Sequence, residues 1–189
     1  MIYGLTGKKR SGKSESAKFL INKMGAVQVN FKDQLIAEIK RNFPTMLTEL
    51  VKLLEKVDYD GQHPLTQDTI FDIKQPVVRA LLQNYGTEVR RNDDPDYWVD
   101  QWWKQAKNII SINQSHIVTD DVRFLNEAQA VRDLGGVIIK IVRIGQVSTD
   151  THQSEIEMDM IEPDYTLNVA EGDIADLHKK LDKITDWIK

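Results

Sequence analysis

The 189-residue chain contains no cysteine. Disulfide scaffolds, cysteine zinc sites, iron–sulfur clusters and thiol catalysis are thereby excluded, and an intracellular compartment is the default expectation. Long hydrophobic runs are missing too. No uninterrupted apolar stretch exceeds three residues, so neither a transmembrane helix nor a signal-peptide core is expected. There is also no excess of positive charge, the formal net charge being −4. Residues 1–149 hold 21 Lys/Arg against 18 Asp/Glu, and residues 150–189 hold 4 against 11. A mildly basic body with an acidic tail end lacks the basic face of a duplex-binding protein, yet it can hold a concentrated cationic pocket for a small anion. What is present is a chain 41% apolar and 29% charged, which fits one globular domain rather than a disordered or fibrous polymer. No internal repeat or low-complexity tract is visible.

Met1 to Thr6 reads as a short buried strand, and Gly7-Lys8-Lys9-Arg10-Ser11-Gly12-Lys13-Ser14 follows it. This is a complete match to G-x-x-x-x-G-K-[ST]. Gly7 and Gly12 permit the tight turns that aim successive backbone N–H groups at phosphate oxygens. Lys13 has the reach for β- and γ-phosphates, and the Ser14 hydroxyl can ligate Mg²⁺. Ser14 to Met24, with Ala17, Phe19, Leu20, Ile21 and Met24 apolar, reads as a helix whose N-terminal dipole faces the same anion. Lys9, Arg10 and Ser11 complete the phosphate-binding set. The basic trio Lys8, Lys9 and Arg10 either touches a transferring phosphoryl group or is solvated.

Further along, Ala26 to Asn30 reads as a strand and Lys32 to Phe43 as a helix ended by Pro44. Thr45 to Val57 reads as a second helical piece, and Asp58 to Asp68 as a turn-rich loop. Lys74 to Tyr85 is expected to be helical and to stop at Gly86. Asp93-Asp94-Pro95 reads as an N-cap with proline at the first helical position, opening a helix through about Asn108. Strands at Ser115–Thr119, Val137–Val142 and Tyr165–Val169 alternate with helices at Asn126–Leu134 and Asp173–Ile188. Such alternation predicts an α/β fold, a parallel sheet with helices on both faces and ligands beyond the carboxyl ends of its strands.

Asp120, Asp121 and Arg123 leave one of these strand ends. A carboxylate there can hold Mg²⁺, with Asp120 and Asp121 both candidates, or accept a proton. Arginine beside it can grip phosphate through two parallel hydrogen bonds. The plain alternative is an Asp-Asp helix cap. Arg79 and Gln83, four apart, share a helix face suited to an acceptor phosphate and a base edge, or to a salt-bridged exposed surface. Tyr97, Trp98, Trp102 and Trp103 have core-like spacing, with Trp98 a candidate for stacking on a base. Arg143 to Glu155, including His152, is a polar strand exit suited to a lid.

These motifs together resemble the phage-type deoxynucleoside monophosphate kinases. The resemblance is carried by G-L-T-G-K-K-R-S-G-K-S, R-A-L-L-Q-N-Y-G-T-E-V-R-R, D-P-D-Y-W-V, I-V-T-D-D-V-R-F-L-N-E and V-R-I-G-Q-V-S-T-D-T-H-Q-S-E, in family order from Gly4 to Glu155. It implies a three-layer P-loop NTPase fold with a parallel, roughly five-stranded sheet. It further implies that residues 1–189 form one kinase domain, with a core at about 1–30 and 111–189, a helical acceptor-binding insert at about 31–110 and a small lid at about 143–160. The insert between Phe43 and Lys74 is short for such a family, which leaves acceptor selectivity open. The implied reaction is transfer of the ATP γ-phosphoryl group to a deoxynucleoside 5′-monophosphate, with Mg²⁺. The resemblance assigns Asp121, Arg123 and Glu127 to the acceptor-site and catalytic motif, Gly12, Lys13 and Ser14 to the donor phosphates and metal, and Arg79 with Gln83 to the acceptor-binding helix. Lys13 is expected to act in catalysis as well, and Trp98 joins the acceptor-binding candidates from its own position. Arg143 and His152 fall to the lid, and Asn168 to the adenine. The expected partners are ATP and the monophosphate, with no nucleic acid and no membrane; a homodimer stays open. The expected location is the cytoplasm, that of the host if the gene is phage-borne. Two alternatives are another kinase on the same scaffold, such as a dephospho-coenzyme A kinase, and a non-catalytic nucleotide switch. The second lacks the guanine-reading Asn-Lys-x-Asp motif, since Asn22-Lys23 continues into Met24-Gly25.

Overall fold

The computed structural model describes residues 1–57, 64–73, 75–113, 115–146 and 152–188, the side chain of Asn113 excepted. The chain divides into two compact units, one of Met1–Phe31 with Val99–Lys189 and one of Lys32–Trp98.

The first unit is built on a five-stranded, wholly parallel sheet in the order β2-β3-β1-β4-β5. Its strands are β1 (Ile2–Thr6), β2 (Val27–Gln28), β3 (Ile117–Thr119), β4 (Val137–Arg143) and β5 (Tyr165–Val169). Strand β1 lies at the centre, with Gly4 opposite Thr119 of β3 and Thr6 opposite Lys140 of β4. The two-residue period of a strand sends alternate side chains to opposite faces. Tyr3, Leu5, Ile139 and Ile141 accordingly pack under α1 (Lys13–Met24) and α8 (Ile174–Trp187), while Ile2 and Ile138 pack under α6 (Leu125–Asp133) and the later turns of α5 (Tyr97–Asn113). Both faces are thus covered, giving the three layers expected of an α/β sheet. A short helix, α7 (Gln153–Met160), precedes β5.

Strand β2 is shorter than the Ala26–Asn30 expected. Asn30 instead spends its side chain, whose Oδ1 accepts the Asp120 N–H at 3.0 Å. The unit boundary falls inside α5 rather than after it, because Trp102 and Ala106 are buried in the first unit's core. Helix α5 also runs to Asn113, past the predicted Asn108. Its start is different as well: Pro95 sits in a turn closed by the Asp96 N–H donating to Asp94 Oδ1 at 3.1 Å, and the helix begins two residues later.

The second unit contains α2 (Phe31–Asn42) beyond its first residue, α3 (Pro44–Val57), a 3₁₀ turn (Thr69–Phe71) and α4 (Pro76–Gln83). The predicted stop at Gly86 does not occur. Helix α4 passes directly into a π-helical segment, Asn84–Arg91. Gly86 is buried there: a Cβ on it would stand 3.0 Å from Leu35 Cδ2, and its carbonyl accepts the Trp98 indole N–H at 2.9 Å. Close packing, not a chain reversal, is what the glycine serves. The predicted loop at 58–68 is described only from residue 64 onward.

Candidate active site

Three left-handed backbone turns shape the loop between β1 and α1: Gly7 at φ +137°, Arg10 at +63° and Gly12 at +113°. Such a run makes a concavity whose N–H groups can converge on an anion. At Gly7 the requirement is double, since a Cβ would also lie 2.3 Å from the carbonyl oxygen of Ile141 in β4. Gly12 caps α1, so the positive helix end borders the loop. Lys13 Nζ spans the concavity, donating to the Gly7 and Lys8 carbonyls at 2.6 and 2.8 Å. Carbonyls are modest partners for an ammonium ion that a phosphate would satisfy better. Ser11 is buried and its Oγ has no hydrogen-bond partner among the described residues. Ser14, in the first turn of α1, is exposed. At the loop's crest the Lys9 carbonyl accepts from Gln146 Nε2 at 2.6 Å, and Arg10 is exposed.

Because β3 is hydrogen-bonded to β1, the segment leaving β3 emerges beside this loop. Asp120 is buried. Asp121 Oδ1 accepts the Phe31 N–H at 3.1 Å, so it caps the first residue of α2. Arg123 is half-buried, and its Nη1 is ion-paired with Glu155 Oε1 of α7. Glu127, expected at the acceptor, is a buried cap: its Oε2 accepts the N–H groups of Arg123 at 2.7 Å and Phe124 at 3.1 Å. It reaches back from the third position of α6, so it holds the Arg123 backbone rather than presenting a free carboxylate.

The other expected residues are placed variously. Arg143 ends β4 and pairs with Glu171. His152 is the N-cap of α7, its Nδ1 accepting the Ser154 N–H at 3.1 Å; residues 147–151 of the expected lid lie outside the described residues. Asn168 lies within β5, and its carbonyl accepts from Lys180 Nζ at 2.6 Å. In the second unit, Arg79 and Gln83 both lie on α4 and are half-buried. Gln83 Nε2 is buried with no hydrogen-bond partner among the described residues. Trp98 is 2% exposed and its indole nitrogen is committed to Gly86, so it is a packing residue and not a stacking platform.

Sequence reasoning missed a second polar centre, inside the second unit. Glu38, 6% exposed, receives the Tyr85 hydroxyl at 2.6 Å, Arg90 Nε at 2.7 Å and the Tyr97 hydroxyl at 2.8 Å. The Arg90 guanidinium also lies over both rings, 5.6 Å from Tyr85 and 5.2 Å from Tyr97. Burial pushes the Glu38 carboxyl up, but the hydrogen bonds from Tyr85, Tyr97 and Arg90 outweigh it and hold the group below its ordinary range. The Tyr97 hydroxyl is pushed up, chiefly by its bond to that carboxylate. Tyr85 and Arg90 are five residues apart, a spacing that shares a face only in a π-helix, so an α-helical reading of the sequence could not pair them.

Among the described residues there is no cluster of three or more His, Asp or Glu side chains able to cage a metal, and no helix long and apolar enough to cross a membrane. Ser14 and Asp120 carry oxygen atoms of the kind Mg²⁺ takes.

Comparison with known proteins identifies the family and the fold. The profile of the family described as deoxynucleotide monophosphate kinase matches residues 45–181. A protein of Acanthamoeba polyphaga mimivirus, provisionally named a deoxynucleotide monophosphate kinase, is 34% identical over 172 residues, covering 84% of this chain and 82% of its own. The deoxynucleotide monophosphate kinase of Enterobacteria phage T4 is 24% identical across 94% of this chain and 95% of its own. Among solved structures, a dephospho-CoA kinase from Campylobacter jejuni superposes with a TM-score of 0.52 at 15% identity, over 99% of this chain and 96% of that one, a likeness of fold alone. The phosphate loop lies upstream of the matched profile, and its geometry places it on the same sheet as the matched Arg123 turn. The fold is that of the P-loop kinases, and the chain belongs to the deoxynucleotide monophosphate kinase family.

Proposed function

We propose that the protein transfers the γ-phosphoryl group of ATP to a deoxynucleoside 5′-monophosphate, giving the diphosphate and ADP. The observation that carries this reading is the adjacency of β1 and β3, which sets the Lys13 loop beside the Asp120–Arg123 turn. A donor cradle and an arginine able to hold a second phosphate are what in-line phosphoryl transfer needs, since positioning and charge neutralisation dominate that chemistry.

The residues fit a bound polyphosphate. Ser11 Oγ is a buried hydroxyl awaiting a partner, and Lys13 rests on carbonyls it can leave. Gly12, Lys13 and Ser14 would hold the donor phosphates, with Gly7, Lys9, Arg10 and Ser11 shaping the loop. Ser14 and Asp120 would hold Mg²⁺, whose charge neutralises the phosphate oxygens. An acceptor phosphate oxygen attacks the γ-phosphorus, the bond to the β–γ bridging oxygen breaks, and ADP leaves. Arg123 neutralises charge on the acceptor side. Arg79 and Gln83 would receive the acceptor, the buried Gln83 amide reading a base edge. Arg143 and His152 would lie on the donor side, and the reaction would take place in the cytoplasm.

The test is ATP-dependent phosphorylation measured across the four common deoxynucleoside monophosphates, their ribo-counterparts and dephospho-coenzyme A. Transfer to deoxynucleotides is expected; transfer to dephospho-coenzyme A alone overturns the substrate class. Lys13→Ala is expected to abolish transfer with an unchanged far-UV spectrum, and an active Lys13→Ala protein would remove the cradle assignment.

A further inference from the structure

The last family motif ends on a residue that the proposed reaction leaves unused. Glu155 of α7 is 2% exposed, and a buried carboxylate persists only when paired and hydrogen-bonded. Its partners come from both phosphate-handling segments. Oε1 accepts from Arg123 Nη1. Oε2 lies 3.9 Å from Lys8 Nζ in the phosphate loop, and the same ammonium donates to the Glu155 carbonyl at 3.2 Å and to Asp159 Oδ2 at 2.6 Å. Two residues on, Glu157 Oε2 accepts the N–H of Leu125 at 3.4 Å, at the start of α6. Helix α7 therefore grips the first variable residue of the loop and the 123–125 turn at once.

The two cations depend on Glu155 differently. Lys8 has a second carboxylate in Asp159, whereas the ion pair that orients Arg123 is the one with Glu155. A guanidinium presents five N–H donors in a rigid fork. Once one nitrogen is held from behind by a buried anion, the direction of the remaining donors is set. A long side chain otherwise loses rotamer freedom when it is ordered.

We infer that Glu155 is a positioning residue whose buried carboxylate orients the Arg123 guanidinium toward phosphate and, through Lys8, ties the phosphate loop to the Arg123 turn. Its kinetic consequence rests on the proposed function; the contact itself does not.

The experiment compares Glu155→Gln, Glu155→Asp, Arg123→Lys and the double variant Glu155→Gln/Arg123→Lys. Glu155→Asp keeps the charge and shortens its reach by one methylene, so it carries the kinetic test should Glu155→Gln fail to fold. The expected result is a fall in kcat on the order of 10²-fold, the scale of a misplaced catalytic group, with the KM for ATP held within about threefold. In the Arg123→Lys background the Glu155→Gln change is expected to cost no more than about twofold, because the two residues act as one unit. Wild-type kcat in Glu155→Asp, or losses that multiply in the double variant, would overturn the inference. A second readout needs no turnover. In ¹⁵N-labelled protein the Arg123 guanidinium signals, assigned by their absence in Arg123→Lys, are expected to show slow rotation in the wild type and averaging in Glu155→Gln. Averaged Arg123 signals in the wild type would refute the lock. If those signals are slow while no deoxynucleotide is phosphorylated, the proposed function fails and the positioning contact stands.

Discussion

Replacing Glu38 tests whether its polar centre is a structural keystone of the 32–98 unit. The carboxylate is 6% exposed and receives both tyrosine hydroxyls and the Arg90 guanidinium. Removing one partner of a buried ion pair typically costs about 3–5 kcal/mol, because the other charge is left uncompensated. Arg90 retains 33% side-chain exposure and can regain water, whereas the Tyr85 hydroxyl is sealed with the residue at 8%. Glu38→Ala is therefore placed at the lower end, about 3 kcal/mol, which corresponds to a melting-temperature drop of roughly 6–12 °C for a chain of this size. Glu38→Gln retains one carbonyl oxygen for Tyr85 and Arg90 and turns an amide donor toward Tyr97, whose hydroxyl can rotate to accept. It loses only the charge assistance, about 1–1.5 kcal/mol. Urea unfolding followed by tryptophan fluorescence reads both, Trp98 being buried in the same unit. The pH dependence has a definite sign. A carboxyl whose folded value lies below its ordinary one stabilises the fold above the ordinary value, and that contribution disappears as pH falls through the folded one. The wild-type and Glu38→Gln stabilities should thus converge in acid and separate toward neutrality. A Glu38→Ala protein within about 0.5 kcal/mol of wild type, the scatter of ordinary surface substitutions, would refute the reasoning.

Three further predictions concern the first unit. Glu127→Ala leaves the Arg123 and Phe124 N–H groups without their acceptor, so calorimetry should show a loss of about 1–2 kcal/mol, accompanied by a lower kcat. Gly7→Ala forces a Cβ against the Ile141 carbonyl at a strained φ; titration calorimetry should find ATP binding weakened at least tenfold, about 1.4 kcal/mol, and undiminished affinity would contradict the loop geometry. Trp102→Phe deletes the indole N–H that donates at 3.1 Å to both the Val29 carbonyl and Thr119 Oγ1. Thr119 Oγ1 still reaches the Val29 carbonyl at 2.7 Å, so thermal unfolding should report a loss of only about 1–2 kcal/mol.

Local chemistry was legible along the chain. The strand–loop–helix around Gly7–Ser14, the βα alternation after Ser115 and the amphipathic α8 are written in periodicity and turn residues, because each depends on contacts within a few positions. Asp173 caps α8 as its residue type predicts, accepting the Asp176 N–H at 2.9 Å. Boundaries were less legible where a distant group intervenes. Asn30 left its strand to bind Asp120, and Gly86 stayed helical because Leu35 packs against it.

The sequence by itself determined an α/β protein whose Gly7–Ser14 segment matches the phosphate-loop pattern, since that motif is complete within its own eight residues. Tertiary structure alone decided what each charge faces. Lys8, 147 positions before Glu155, shares that carboxylate with Arg123, and the net charge of the acidic tail end conceals that α7 spends Glu155 and Asp159 on these two cations. Glu127 is a cap, Trp98 is core, and Glu38 finds Arg90 through a π-helical turn. The physical reason is range. Helix, strand and loop propensities act between near neighbours, whereas a buried ion pair forms only after the sheet order has brought remote strand ends together.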